Sequence, residues 1–413
     1  MTDRLTGIES LNVYGGVACV PVAELFAGRG LDTGRFGNLM MARRAVALPF
    51  EDPVTNAVNA AAPLLERLGE EERDSVEFLI TATESGVDYS KSVASYVHEH
   101  LGLGRHCRLL EVKQACYSAT AALRLAASYV ASDVSPGARA LVIATDVALA
   151  DERAEYAEPA TGSGAVAMLV GDDPRVLALD PGAFGLYSFE TLDTARPSPA
   201  YDIADVDRSL LAYLECLRES FADYRARVED VDLMTTFDLL ALHTPFAGMV
   251  KAGHRKLLRE FTAATPAEIE ADFERRVGPS LTYPGEVGNL FSGSLYLALA
   301  AALDTARPAA PLRVGLFSYG SGCSSEFFSG VADQRSAEEV AAMDIAGRLS
   351  ARAELTFAEY LEVLPENMRC LVPERDRKVD VAAYEHLLDR CADRRPMLAL
   401  RAVEDHHRRY EWI

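Results

Sequence analysis

Glu111-Val-Lys-Gln-Ala-Cys116-Tyr-Ser-Ala-Thr120 is the stretch on which the reading of this chain turns. Before it, Arg108 to Val112 predicts a short apolar strand. After it, Tyr117 to Val130 is apolar and alanine-rich and predicts a buried helix. Cys116 therefore falls where a strand turns into a helix. Unpaired N–H groups and the helix dipole favour negative charge there, so a lowered thiol pKa is expected. An ordinary packing cysteine would fit the same place, but two other residues weigh against it. Glu84 ends the predicted strand Val76 to Thr83, and His243 ends the apolar run Leu239 to Leu242. A thiol, a carboxyl and an imidazole so placed form a nucleophile, an acid/base and a partner.

Outward from Cys116, the layout occurs twice. Cys116 precedes an Ala/Leu helix, then Ser135-Pro-Gly, then a strand from Arg139 to Thr145. Asn289 precedes the helix Ser294 to Leu303, then Arg307-Pro308, then a strand from Leu312 to Ser318. The offsets match (289 − 116 and 312 − 139 are both 173). With Gly164 to Val170 as another apolar run, strands and helices alternate through the first 330 residues. This predicts an α/β protein of two pseudo-equivalent halves, with paired central helices and a site between them. Asp180-Pro-Gly-Ala-Phe-Gly is the expected junction, which gives one half at 1–179 and the other at 180–335. Ser336 to Arg352 and Val379 to Arg394 read as helices with polar faces, so 336–413 is expected to be a helical cover.

At 413 residues, 49% hydrophobic and 25% charged, the chain can bury a large core. A net charge of −21 argues against general nucleic-acid binding. There is no apolar run long enough to span a membrane, and Met1-Thr-Asp-Arg-Leu-Thr-Gly lacks the apolar core of a signal peptide. Cys19, Cys107, Cys116, Cys216, Cys323, Cys370 and Cys391 are scattered and show no C-x-x-C spacing. Neither a disulfide framework nor a metal site is expected, and a reduced, cytoplasmic protein is the simplest reading.

Gly320-Ser321-Gly322, after an apolar strand, is a tight loop that can bring backbone N–H groups to a substrate oxygen. Its spacing does not fit a dinucleotide fingerprint. Thr161-Gly-Ser-Gly-Ala165 reads as a tight turn into a strand. Lys251-Ala-Gly-His-Arg255-Lys256 and Arg43-Arg44 are basic spots on an acidic chain; together with Arg35 they are candidates for receiving an anionic partner. A solvated helix face is the competing reading.

These motifs resemble those of 3-hydroxy-3-methylglutaryl-CoA synthases. The resemblance rests on Glu111-x-Lys-Gln-Ala-Cys116-Tyr, Glu84 before Ser90-Lys91-Ser92, Leu242-His243-Thr-Pro, Val287-Gly-Asn289 and Phe317-Ser-Tyr-Gly-Ser-Gly322, in that family's order. It implies a thiolase-like, five-layered αβαβα fold, a homodimer and no bound cofactor. It also implies three stages. Cys116 takes an acetyl group as a thioester, Glu84 removes a methyl proton so that the carbanion attacks a β-ketone, and water releases the product. By the same carry-over His243 orients and polarises the acceptor. Tyr117, Thr161, Asn289 and Ser321 line the acyl pocket, and the amides of Cys116 and Ser321 form the oxyanion site.

Within the family the chain is most similar to the polyketide β-branching members. Gly15-Gly16, Leu31-Asp-Thr, Ala47-Leu-Pro-Phe-Glu-Asp-Pro, Pro245-Phe-Ala-Gly-Met-Val-Lys, Gly322-Cys-Ser-Ser-Glu-Phe-Phe and Tyr410-x-Trp412-Ile413 carry this. Such members use phosphopantetheine thioesters on a donor and an acceptor acyl carrier protein. Two departures stand out: a shorter connection from Asp146 to Gly162, and Ala160 where a hydroxyl residue is common. The alternatives are a primary-metabolism synthase using acetyl-CoA and acetoacetyl-CoA, and a non-catalytic carrier-docking protein of the same fold. A decarboxylating ketosynthase fits less well, because it would not need Glu84.

Overall fold

The computed structural model describes residues 5–149 and 157–413, with the side chain of Arg35 outside the description. Nine strands form one mixed sheet: β1 (Gly7–Tyr14), β2 (Val76–Ala82), β3 (Arg108–Val112), β4 (Arg139–Asp146), β5 (Gly164–Gly171), β6 (Leu177–Ser188), β7 (Leu239–Leu242), β8 (Leu312–Gly320) and β9 (Ser324–Ala332). Their spatial order is β7-β8-β9-β6-β1-β5-β4-β2-β3. β4, β5 and β7 are buried along nearly all their length, as strands covered on both faces must be.

The sheet is two related sheets joined at a short seam, where Gly7 and Ile8 of β1 pair with Ala178 and Leu177 of β6. From the seam outward, β1-β5-β4-β2 and β6-β9-β8-β7 repeat the same pairings: antiparallel, antiparallel, parallel. β3 extends only the first half. Four helices complete the layers: α1 (Pro53–Glu66), α2 (Ser118–Ala131), α3 (Val206–Arg227) and α4 (Ser294–Ala306). α1 and α3 pack on the outer faces, while α2 and α4 pack on the inner faces. The inner pair is tied by the Thr120 and Tyr296 hydroxyls at 2.9 Å, and Thr120 also reaches Ser318 at the end of β8. This is the thiolase-like layered arrangement.

Two expectations are corrected. Asp180-Pro-Gly is not a junction between halves but lies inside β6, the first strand of the second half. The register slips there between Phe328 and Gly330 of β9, because Pro181 has no N–H to donate and Gly182 takes φ +73°. The 336–413 segment is also not purely helical. Helices Gln334–Ala341, Ile345–Ser350 and Phe357–Asn367 are joined by a three-stranded antiparallel sheet built from Arg377–Lys378, Leu398–Glu404 and His407–Trp412. That sheet is fastened to the core at the start of α1. Asp52 caps α1 through the Val54 and Thr55 amides and also binds Arg408 and Tyr410, each at 2.8 Å. Among the described residues no helix is long and apolar enough to cross a membrane.

Candidate active site

Cys116 sits on a sharp elbow between β3 and α2. Ala115 has φ +44°, a left-handed conformation that costs a non-glycine residue free energy. Surrounding bonds hold the turn. The Ser118 hydroxyl donates to the Ala115 carbonyl at 2.7 Å and accepts from the Gln114 amide at 2.6 Å. The end of β8 presses on the same elbow. A Cβ at Gly320 would lie 2.5 Å from the Tyr117 nitrogen and 2.6 Å from the Gln114 oxygen, so only glycine fits.

Glu84, one turn beyond β2, meets Cys116 with Sγ 3.5 Å from Oε1. Both residues are half-buried. Asp146, at the end of β4, holds the Glu84 corner in place. It accepts from the Glu84 amide at 2.9 Å, the Ser85 hydroxyl at 2.8 Å and the Thr83 and Ser292 hydroxyls. Burial first, and then the Asp146 charge, pushes Glu84 up to about 7. Asp146 is itself pushed up to about 6 by burial, against the Ser85 hydroxyl and Glu84 amide that bond its carboxylate.

The expected low pKa of Cys116 is overturned. Burial, followed by the Glu84 and Asp146 charges, holds the thiol well above its ordinary range. Helix α2 begins only at Ser118, and nearby carboxyls outweigh its dipole. Cys116 is therefore a thiol at rest, with a proton acceptor beside it.

His243 follows β7, its amide bonded to the Phe317 carbonyl of β8 at 2.8 Å and its carbonyl to the Tyr213 hydroxyl at 3.0 Å. Burial pushes the imidazole down to about 3, so it is neutral. Its Nδ1 has no hydrogen-bond partner among the described residues. Its ring lies 6.2 Å from that of Tyr319, whose hydroxyl donates to Asp193 at 2.6 Å. Asp193 also accepts from the Gly322 amide at 2.9 Å, fixing the loop that carries Ser321.

Thr161 and Asn289 form an isolated β-bridge. The Asn289 Oδ1 is already engaged by the Phe291 amide and the Ser294 hydroxyl, which leaves its NH2 for a ligand. The Thr161 hydroxyl donates to the Glu158 carbonyl at 3.2 Å. The Glu158 carboxylate is gripped by Arg29 at 2.8 Å and Tyr360 at 2.7 Å. The Tyr117 hydroxyl is likewise committed, to Glu326 at 2.8 Å.

The basic candidates separate. Arg44 is not a surface residue: it is 2% exposed, bonded to the Glu158 carbonyl and Tyr360, and packed over the Tyr360 ring. Arg43 is paired with Glu286 and Glu354, and Lys251 with Glu270. Arg255 and Lys256 are exposed on the helix Ala247–Phe261. The side chain of Arg35, and residues 150–156 of the short connection, lie outside the described residues.

Sequence reasoning missed Asp146, Asp193, Arg196 and Glu158. Asp146 carries the same signal as Glu84, an acid closing a buried strand. Asp193 and Glu158 come from irregular segments, and Arg196 from a short strand, Thr194–Ser198, that has no buried apolar face to signal it.

A thiol and a carboxyl at the strand ends of a doubled, thiolase-like sheet define an acyl-transferring, carbon–carbon bond-forming synthase. The hydroxymethylglutaryl-coenzyme A synthase N-terminal and C-terminal family models match residues 3–175 and 259–409. The chain belongs to the hydroxymethylglutaryl-coenzyme A synthase family. It is 45% identical to the polyketide biosynthesis 3-hydroxy-3-methylglutaryl-ACP synthase PksG of Bacillus subtilis (strain 168), over 98% of this chain and 99% of that one. It is 33% identical to the hydroxymethylglutaryl-CoA synthase of Enterococcus faecalis, over 88% of this chain and 92% of that one. The curacin biosynthetic pathway HMG synthase superposes with a TM-score of 0.96 at 45% identity, covering 99% of this chain and 100% of that one. That synthase has also been solved with apo, holo and acetyl donor-ACP.

Proposed function

We propose that this protein is the β-branching synthase of a polyketide pathway. It transfers acetyl from a donor acyl carrier protein to Cys116 and adds it to the β-ketone of a polyketide on an acceptor carrier. The observation that carries this reading is the contact of the Cys116 thiol with Glu84 at 3.5 Å.

The steps follow from the groups present. The Cys116 thiol loses its proton to the adjacent carboxylate and attacks the donor thioester, releasing the phosphopantetheine thiol. Glu84, as carboxylate, then removes a methyl proton from acetyl-Cys116. The enolate oxygen lies against the Cys116 and Ser321 amides. Its carbon attacks the ketone, whose oxygen becomes a tertiary hydroxyl by taking the proton back from Glu84. Neutral His243 orients that oxygen by a hydrogen bond rather than as an imidazolium acid. Water last cleaves the Cys116 thioester, freeing a carboxylate and the thiol. Tyr117, Thr161 and the Asn289 NH2 shape the acyl pocket.

Arg255 and Lys256 on their exposed helix suit a phosphate-bearing carrier. A homodimer is supported by β3, which ends the sheet with Leu109 and Leu110 exposed on an unpaired edge. Seven free cysteines suit a reducing cytoplasm.

The test is intact-mass measurement of acetyl-Cys116 after exposure to acetyl-loaded carrier protein and, separately, acetyl-CoA. Faster acetylation from the carrier is expected. Acetylation from CoA alone would assign the protein to primary metabolism. A Cys116→Ser enzyme that still formed branched product would overturn the role of Cys116.

A further inference from the structure

A small hairpin, Thr194–Ser198 paired with Tyr201–Ala204, stands outside the nine-stranded sheet. Arg196 reaches from it to the Glu84 corner. Its Nη1 donates to the Glu84 carbonyl at 3.2 Å and to the Ser85 hydroxyl at 3.0 Å. Its Nε and Nη2 are held by both oxygens of Asp202, across the hairpin, at 2.6 and 2.9 Å. A two-point grip on a planar guanidinium fixes its direction as well as its charge. The guanidinium also lies 5.7 Å from the centre of the Phe291 ring, two residues beyond Asn289. One half-buried side chain thus joins the hairpin, the Glu84 corner and the Asn289 segment. No pairing in the main sheet requires this.

We propose that the Arg196–Asp202 pair is a clasp that positions Glu84 and sets the pH range in which it removes the methyl proton. The inference rests on the reading of Glu84 as the acid/base. Arg196 is a positioning residue, since it acts through the Glu84 backbone and its field. Among the described residues, the groups that act most strongly on Glu84 are Asp146 from β4, Arg196 and Asp202 from the hairpin, and Cys116 from the elbow. Arg196 favours the carboxylate, whereas Asp202 and Asp146 oppose it.

The two halves of the clasp therefore have opposite effects. Arg196→Met removes the cation and moves the rising limb of the condensation rate to higher pH. One pH unit below the midpoint of that limb the rate is about tenfold under its own plateau. Asp202→Asn removes an anion, leaves Arg196 in place and moves the limb to lower pH. Arg196→Lys falls between wild type and Arg196→Met, because one ammonium cannot hold Asp202 and the Glu84 carbonyl together.

The experiment measures single-turnover condensation of acetylated full-length enzyme with acetoacetyl-loaded acyl carrier protein as probe acceptor, across pH. Wild type, the three clasp variants and Glu84→Gln are compared. Intact mass confirms acetyl loading of each, and the milder Asp202→Asn keeps the test open if Arg196→Met does not fold. Opposite displacements are expected. Limbs that stay put, or move in the same direction, overturn the clasp. If Glu84→Gln condenses at the wild-type rate, the acid/base reading fails instead, independently of any hairpin variant.

Discussion

At Cys116 the proton balance, rather than a ready-made thiolate, governs reactivity. The thiol is held protonated by burial and by Glu84 and Asp146, and Glu84 is pushed up to about 7. A carboxyl so placed can take a proton and return it near neutral pH. Condensation should rise through about pH 7 as the carboxylate forms, and Glu84→Gln should lower it about 10²–10⁴-fold. Rapid-quench assays of acetylated enzyme check both. Stability runs the other way. A folded pKa raised above the unfolded 4.5 adds stability below 4.5, which is lost as pH rises through about 7. Glu84→Gln should therefore melt about 2 °C or more above wild type at pH beyond 7, with the gain fading toward 4.5. A thermal scan across pH would show no such crossover if Glu84 were an ordinary surface acid.

At the scale of elements, the site is assembled by contacts between segments that each look unremarkable. The elbow before α2 is closed by the end of β8, where Gly320 lies against Tyr117 and Gln114. A methyl there displaces backbone. Gly320→Ala should cost about 1–3 kcal/mol and slow acetyl uptake by Cys116 at least tenfold, read by denaturant melts and intact mass. The Thr161 turn depends on Glu158, whose carboxylate is held by Arg29 and Tyr360 and whose carbonyl is held by Arg44. Removing that buried charge with Glu158→Gln should cost about 3 kcal/mol. It should also raise the acceptor KM more than it lowers kcat if Thr161 lines the acyl pocket as proposed, because Glu84 and Cys116 stay in place. Equal losses in both would place Glu158 in the chemical step.

Over the whole molecule, duplication sets the plan and asymmetry sets the function. Both halves repeat the same strand pairings, yet the proposed reaction draws Cys116 and Glu84 from one and His243 and Asn289 from the other. Only the first half has an extra edge, β3, and its exposed Leu109 and Leu110 are what a second copy would cover. Leu110→Lys should shift the solution mass from twice the 44.8 kDa chain toward the single chain, read by light scattering. Light scattering that gives a single chain for the unaltered protein would remove the dimer from this account.

Local pattern determined a good deal by itself. β2, β4, β5, β7, β8, α2 and α4 are runs whose apolar spacing matches their burial, whereas β3 is an apolar run that the single chain leaves exposed. The 173-residue offset between halves is visible without coordinates. Glu84, Cys116 and His243 were legible because each closes or follows such a run. β1, β6 and β9 were not, because their polar residues find partners only in the fold. Glu9 pairs with Arg139 at 2.6 Å, Asn12 bonds the Ala60 carbonyl and Glu326 holds Tyr117 and Arg124. The strands of the C-terminal cover are equally hidden, since Arg408 and Tyr410 are anchored by an acid 356 and 358 residues away. The charge state of Cys116 was beyond the sequence for the same reason. A helix start is a local feature, but the carboxyls that outweigh it arrive from β2 and β4, and the arginine that tempers them arrives from a separate hairpin. Periodicity fixes which segments are buried; only tertiary packing decides which charges face one another once they are.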